Sequence, residues 1–528
     1  MSDKKFITVV IALVVVIAVF RLTAMPVHAT PQAEDRLLRE ERATMEVRKL
    51  IYDNYYKKVD EDQLFYGALE GMVDHLGQDN DDPYSRFMPP EQAKQSADEI
   101  NGNFGGIGIS IEEYDGLPQV IVPIANTPAD RKGLLPGDLI VAVDGHKLVN
   151  TAEMSAIDQA VKLMRGEPGS PVSLTVQRSY QGNVSQVKFN LTREEIHKDS
   201  VLLTQILPTG PTGPTGPKIG YTRLLEFSAK CSDSLTQALD SLKSQGAQAM
   251  IIDLRHNPGG LLDEAVSIAD LWIAPSDKVT DVNGNTVAGV IVSTRRRGPS
   301  AKDHLNPAAA GSQPQDSMAT PNTRTYPPFL VLLVDRDTAS ASEVLSGCLK
   351  DYRKAILIGR KTYGKGVVQS LFSIPLPAPA AGAAKEQTEP DVAMGTLKLT
   401  TASYYTPRGV SIHKIGIDPD VWVTVDPDQT METYHDEDIA WELQRFRSTH
   451  PGAAFAVPAK PDGHARPSLA QALQGDPDIQ AAETVLKQLL AGKAEGPVLE
   501  QADAPGRLAD ELRTGLELSG APTEDDGE

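Results

Sequence analysis

The chain has 528 residues, 40% apolar, 23% charged and 5% aromatic. This globular composition excludes a wholly disordered or fibrous protein, and the length suits two to four domains of about 150 residues. Acidic residues number 71 against 51 basic ones, a net charge of −20, which argues against a general nucleic-acid binder, since neutralising phosphates needs clustered Lys and Arg.

At the N-terminus, Lys4 and Lys5 precede an unbroken apolar run from Phe6 to Phe20, closed by Arg21. The run is shorter than the roughly 20 residues of a spanning helix. It fits the apolar core of a signal peptide, with Val27-His28-Ala29 as a small-residue cleavage site. The alternative is an uncleaved signal-anchor over residues 6–24, holding the protein to the inner membrane. Either form of segment 1–29 predicts export to a periplasm or cell envelope.

Residues 30–98 read as a polar helical region, with Leu64, Ala68, Leu69, Met72 and Leu76 at helix spacing. From 99 to 195 the pattern becomes short β-branched runs between turns. Ile107–Ile111, Val120–Pro123, Leu139–Val143 and Val172–Val176 are the expected strands, with one helix from Ala152 to Met164. The Gly/Pro-rich patch Pro208–Pro217 reads as an exposed loop. Beyond it, strands alternate with helices. A helix carrying Leu235, Leu239 and Leu242 leads to strand Met250–Leu254, then helix Leu261–Ile273. Strand Phe329–Val334, helix Ser340–Tyr352 and strand Ala355–Ile358 follow. Such alternation predicts an α/β layer fold with parallel strands over residues 196–425. Loop-like insertions fall near 299–328 and 375–390. Residues 426–528 carry amphipathic segments at Ile439–Phe446 and Ile479–Leu490 and end in an acidic, solvated tail.

The two cysteines, Cys231 and Cys348, are too few for a disulfide framework and too far apart for a C-x-x-C pair, so buried thiols are expected. The metalloprotease H-E-x-x-H, the phosphate-binding G-x-x-x-x-G-K-[ST] and the hydrolase G-x-S-x-G are all absent. S-x-x-K occurs three times and is weak for that reason.

The informative segment is Asp337-Thr338-Ala339-Ser340-Ala341-Ser342-Glu343, between an apolar strand and a helix. Ser340 and Glu343 have the spacing of a capping box. The same position sets a hydroxyl beside the free N–H groups of a helix start, which can hold the oxyanion of acyl transfer. Serine needs a base. Lys365, in Gly364-Lys365-Gly366-Val367-Val368-Gln369, follows after one helix and one strand that could return it to Ser340. A lysine acts as a base only when neutral, which requires desolvation. Gln369 can orient its amine without stabilising the ammonium, as a carboxylate would.

These blocks, with Leu397-Lys398-Leu399-Thr400-Thr401-Ala402-Ser403-Tyr404-Tyr405-Thr406-Pro407-Arg408-Gly409, Ser411-Ile412 and Gly416-Ile417-Asp418-Pro419-Asp420, resemble those of the C-terminal processing peptidases (tail-specific proteases, peptidase family S41). The resemblance spans about residues 60 to 420. It implies an α/β, crotonase-like (ClpP/crotonase) core with an inserted strand-rich PDZ domain and helical N- and C-terminal regions. By the same resemblance Ser340 is the nucleophile rather than Ser342, Lys365 the general base and Gln369 its orienter. The N–H groups of Gly260 and Ala341 form the oxyanion hole, Gly260 closing Asp253-Leu254-Arg255-His256-Asn257-Pro258-Gly259-Gly260.

Residues 99–195 resemble a PDZ domain, with Phe104-Gly105-Gly106-Ile107-Gly108-Ile109 as its carboxylate-binding loop. Such domains capture peptide C-termini by adding a strand to a sheet edge. Arg165 matches an arginine that in some relatives links docking to activation. The expected protein is an exported serine endopeptidase that cleaves proteins presented by their free C-terminal tails through an acyl-enzyme. It requires no metal or organic cofactor and no nucleic acid, touches a membrane only through an uncleaved N-terminal segment, and leaves homo-oligomer assembly open. The rival is a silent PDZ scaffold on a peptidase-like body. An acyl-CoA enzyme on the same core is disfavoured, because fold alone does not set function and export removes the chain from cytosolic CoA.

Overall fold

The computed structural model describes residues 31–494 apart from 81, 101, 152–153, 181–182, 198, 208–215, 297–314, 322–325, 378–391, 425–426, 454, 456–457, 459 and 461–464. The leader, the acidic tail, nearly all of the Gly/Pro patch and most of both insertions lie outside the described residues. The chain divides into two compact units. One comprises residues 1–89, 295–315 and 369–402, the other residues 90–294, 316–368 and 403–528.

In the first unit, helices Pro31–Asn54 and Glu61–Asn80 precede a short strand, Arg86–Met88, that pairs antiparallel with residues 396–398. The helical region expected over 30–98 is therefore interrupted. Phe87 and Met88 are buried while Arg86 stays exposed, and Phe87 joins Tyr66, Leu376 and the partly buried Phe65, Leu69, Val73 and Ile374 in a small apolar cluster.

The second unit contains the strand-rich domain. Its strands Ile109–Tyr114, Leu117–Pro123, Leu139–Val143, His146–Lys147, Pro171–Tyr180 and Asn183–Thr192 form an antiparallel sheet, with helix Ala156–Met164 beside it. The strand expected at Ile107–Ile111 begins two residues later. Gly108 has φ +76°, a conformation that favours glycine, and Ile107 is buried with its carbonyl accepting Ala129 N–H at 2.9 Å.

The larger core of the second unit is a six-stranded sheet. In chain order its elements are β1 (Val201–Ile206), β2 (Ile219–Leu224), α1 (Cys231–Ser244), β3 (Ala249–Asp253), α2 (Leu262–Ala269), β4 (Leu330–Val334), α3 (Ala341–Asp351), β5 (Ile356–Gly359) and β6 (Val421–Trp422). The strands lie side by side in that same order, β1 antiparallel to β2 and all later pairs parallel. Strands β3, β4 and β5 are buried along their whole length, as expected of parallel strands covered on both faces.

Side chains alternate between two cores. Met250, Ile252, Leu330, Leu332 and Leu357 pack with Leu235, Leu239, Ile268, Leu345 and Cys348 from α1, α2 and α3. Ala249, Ile251, Val331, Leu333 and Ile358 face the other way, against α4 (Pro427–Thr449), α5 (Leu469–Gly475) and α6 (Pro477–Ala494) through Ala440, Leu473, Ile479, Val485 and Leu486. Each Val, Leu, Ile or Met among them contributes roughly 1.5–3 kcal/mol on burial, and the C-terminal helices are the sheet's second layer. Cys231 and Cys348 are free and buried. No helix among the described residues is long and apolar enough to cross a membrane.

Candidate active site

Three adjacent parallel strands, β3, β4 and β5, end at one edge of the sheet, the usual location of sites in such folds. β3 runs into residues 254–260, β4 into 335–340 and β5 into 360–366, so the segments bearing Gly260, Ser340 and Lys365 leave neighbouring strands.

Ser340 sits at the start of α3 with φ +57° and ψ −116°. A non-glycine residue there carries roughly 1–3 kcal/mol of strain, a feature concentrated at functional positions. Ser340 is half-buried. Ser342, the competing serine, is fully buried and its Oγ donates to the Asn257 carbonyl at 3.0 Å. Its hydroxyl serves the packing of α3 against the glycine turn.

Glu343 does more than cap the helix. Its buried carboxylate accepts four hydrogen bonds. Oε2 takes the N–H of Ser340 at 2.9 Å and of Lys365 at 2.8 Å, while Oε1 takes Thr362 Oγ1 at 2.6 Å and Gly364 N–H at 2.8 Å. Burial raises its pKa above the ordinary glutamate value, and the four donors oppose that shift. The Tyr404 hydroxyl adds a second tie, lying 2.9 Å from the Ser340 carbonyl oxygen and also against the Lys365 carbonyl oxygen. Neither Glu343 nor Tyr404 was assigned a role at the site from the sequence. Glu343 looked like an ordinary capping residue, and Tyr404 lay within a quoted block whose signal was its spacing alone. Lys365 itself is half-buried, between the buried Gly364 and Gly366.

The turn Asn257–Gly260 packs against the start of α3. Asn257 Oδ1 accepts Gly259 N–H at 2.9 Å, its Nδ2 donates to Leu224 O at 2.7 Å, and its carbonyl accepts Ala339 N–H at 3.0 Å. Gly259 has φ +98°, and a Cβ there would stand 2.7 Å from Ser340 Cβ and 2.8 Å from Ala341 N. That proximity sets the glycine turn beside the two residues expected to form nucleophile and oxyanion donor. Gly260 pairs with Phe227, and the bonds run through Gly259 O and Leu261 N. This leaves the exposed Gly260 N–H without an acceptor among the described residues. Ala341 N–H, at the first position of α3, is one of the donors a helix cannot satisfy internally.

Gln369 belongs to the first unit, where its Nε2 donates to Thr400 Oγ1 at 3.1 Å. Thr400 Oγ1 in turn donates to Asp82 Oδ1 at 3.0 Å. In the strand-rich domain, Gly105 and Gly106 are part of strand Asn103–Gly106, paired with Glu195 and Glu194. The expected loop is thus shortened to Ile107 and Gly108, with Ile109 opening the next strand. Arg165 caps the end of helix Ala156–Met164, and its guanidinium stacks over Phe104 at 5.4 Å. Among the described residues, His256, Asp335 and Asp337 form the one cluster with metal-ligand atoms within 4.8 Å of one another. His256 Nδ1 lies 2.7 Å from Asp337 Oδ2 and Nε2 lies 3.2 Å from Asp335 Oδ2, so these residues tie the glycine turn to the segment preceding Ser340.

Comparison with known proteins bears on these features. The profile described as "Peptidase family S41" matches residues 218–423, a "PDZ domain" profile matches 119–178, and an "Activating protease CtpB N-terminal domain" profile matches 24–92. A probable CtpA-like serine protease of Staphylococcus epidermidis is 30% identical over 81% of this chain and 76% of its own length. The carboxy-terminal processing protease CtpA of Bacillus subtilis is 32% identical over 74% of this chain and 70% of its own. The carboxyl-terminal-processing protease of Synechocystis is 35% identical over 67% and 70%. Among solved structures, the photosystem II D1 C-terminal processing protease is similar at 27% identity over 72% of this chain and 86% of its own, with a TM-score of 0.35.

Proposed function

Since the chain belongs to peptidase family S41 and is a serine-type carboxy-terminal processing protease with a PDZ domain, we propose that it works through a Ser340–Lys365 dyad and an acyl-enzyme. The neutral Lys365 amine takes the Ser340 hydroxyl proton as Oγ attacks the scissile carbonyl. The N–H groups of Gly260 and Ala341 hold the resulting oxyanion. The Lys365 ammonium then gives its proton to the departing amine, leaving Ser340 acylated. Water, deprotonated by the same lysine, hydrolyses the ester and restores the hydroxyl.

The observation that carries this reading is the shared acceptor, Glu343 Oε2, which draws the main chains of Ser340 and Lys365 to a single atom. The strained φ of Ser340 and the committed hydroxyl of Ser342 support the choice of serine.

The substrate is a polypeptide presented by its free C-terminus. The strand edge opening at Ile109 receives it as an added strand, and the N–H groups around Gly106–Gly108 receive its carboxylate. Arg165 relays occupancy of that groove. The basic and apolar segment 4–20 supports export to a cell envelope.

The test is incubation of the full-length protein with unfolded substrates of varied C-termini, wild type against Ser340→Ala, with products read by mass spectrometry. Cleavage by wild type, dependent on the tail and abolished in Ser340→Ala, is expected. Undiminished turnover by Ser340→Ala overturns the dyad.

A further inference from the structure

Resting on that dyad, we infer that Asp478, beyond the segment matched by the peptidase family, is a positioning residue that clamps together the two loops carrying the oxyanion glycine and the base. Asp478 Oδ2 accepts from Arg255 Nη1 at 2.8 Å and from Arg360 Nη2 at 2.8 Å, and its Oδ1 accepts from Arg360 Nη1 at 3.0 Å. Arg255 lies in the loop after β3 that ends at Gly260, and Arg360 opens the loop after β5 that bears Lys365. One carboxylate from α6 therefore reaches both loops.

The clamp is built for rigidity. Arg255 and Asp478 have no exposed side-chain surface, and Arg360 retains 14%. Arg360 meets the carboxylate as a two-pronged fork, which fixes geometry as well as distance. The other side of Arg255 is held by Asp253 through bonds of 2.6 to 3.0 Å. Asp476 aims the clamp. Its Oδ2 accepts from Arg255 Nη1 at 2.7 Å while its Oδ1 caps α6 through the N–H of Asp478 at 2.8 Å and of Ile479 at 3.0 Å. Loops are the least constrained parts of such a fold. Here two of them carry reacting groups whose misplacement by about 1 Å can cost about 100-fold in rate. Strand pairing fixes where each loop begins, and Asp478 removes the remaining freedom between them. Its bonds given above go to the loop that ends at Gly260 and the loop that bears Lys365, so its loss acts first on the oxyanion hole and the base.

The experiment uses the full-length protein and compares Asp478→Asn, Arg360→Gln, the double variant and Asp478→Glu with wild type, with kcat and KM normalised to folded protein and thermal melts alongside. Each single change is expected to lower kcat about 10- to 100-fold with KM within about threefold. The double is expected to be no slower than the slower single, because both remove one interaction, and Asp478→Glu is expected to recover part of the rate. Wild-type kcat per folded molecule in both single variants, even with lowered melting temperatures, overturns the clamp, as do losses that multiply in the double. Should Asp478→Asn fail to fold, Arg360→Gln decides by the same criterion. Failure of the clamp is distinct from failure of the dyad: in the first, Ser340→Ala is dead while the clamp variants run at wild-type rate, and in the second, Ser340→Ala itself still turns over.

Discussion

The main-chain N–H groups of Ser340 and Lys365, on loops from neighbouring strands, meet at one oxygen of a buried carboxylate, Glu343 Oε2, at 2.9 and 2.8 Å. A residue that a sequence reading assigns to helix capping thus joins the helix start to the following loop. Changing Glu343 to Gln leaves one oxygen to serve four donors and introduces an NH₂ group that faces donors. Expected is a loss of about 100-fold in kcat, equivalent to about 2.7 kcal/mol, in a protein that still melts cooperatively. Steady-state kinetics with a parallel thermal melt check it, and an unchanged kcat would show that the loops hold their places without this residue.

Ser340 and Ser342 should separate cleanly. Ser340→Ala is expected to abolish turnover and labelling by a serine-directed phosphonate probe. Ser342→Ala removes one buried hydrogen bond, to Asn257 O, and is expected to cost roughly 0.5–1.5 kcal/mol of stability while the probe still labels Ser340. Probe labelling lost only in Ser342→Ala would reverse the assignment.

At Gly259 the added methyl of alanine would lie 2.6 Å from Ala339 O and 2.7 Å from Ser340 Cβ, on a backbone with φ +98°. Backbone must shift to admit it, and the residues that shift are those of the nucleophile segment. Gly259→Ala should therefore lower kcat by more than tenfold, with strain of about 1–3 kcal/mol visible in the melting temperature. Kinetics and calorimetry on the same sample test this; a fully active variant would mean that the turn does not set the position of Ser340.

Glu437 offers a pH test. Burial first, and then Asp476 and Asp253, push its carboxyl well above the ordinary glutamate value, against the pull of Arg255 and Arg223. Between about pH 4.3, where an unfolded glutamate titrates, and its folded value, the native state keeps a proton that the unfolded chain has lost. Stability from this group therefore falls as pH rises through that window. Glu437→Gln holds the neutral form at every pH. Its stability profile is expected to be flatter, and superimposable profiles would exclude the protonated carboxyl. Asp253 behaves oppositely. Burial disfavours its charge, but Arg255 overrides this and lowers its pKa to about 2, so its contribution is full above about pH 4 and is lost as pH falls toward 2.

Much was legible in one dimension. The apolar runs Met250–Leu254 and Phe329–Val334 fell within a residue or two of β3 and β4, and the helical spacing of Leu235, Leu239 and Leu242 identified the buried face of α1, because burial on a strand or a helix face imposes a period on the chain itself. The spaced blocks around Ser340 and Lys365 identified the family, because local backbone geometry constrains neighbouring residues directly. The choice of Ser340 over Ser342 came from the resemblance, and the tertiary structure alone decided two other matters. It gave Glu343 four donors from two loops. It brought Asp478 to Arg255 across 223 positions of sequence. Such meetings depend on which strands become neighbours and which helices cover them, and a charged residue far along the chain bears no periodic or local mark of the partner it will find.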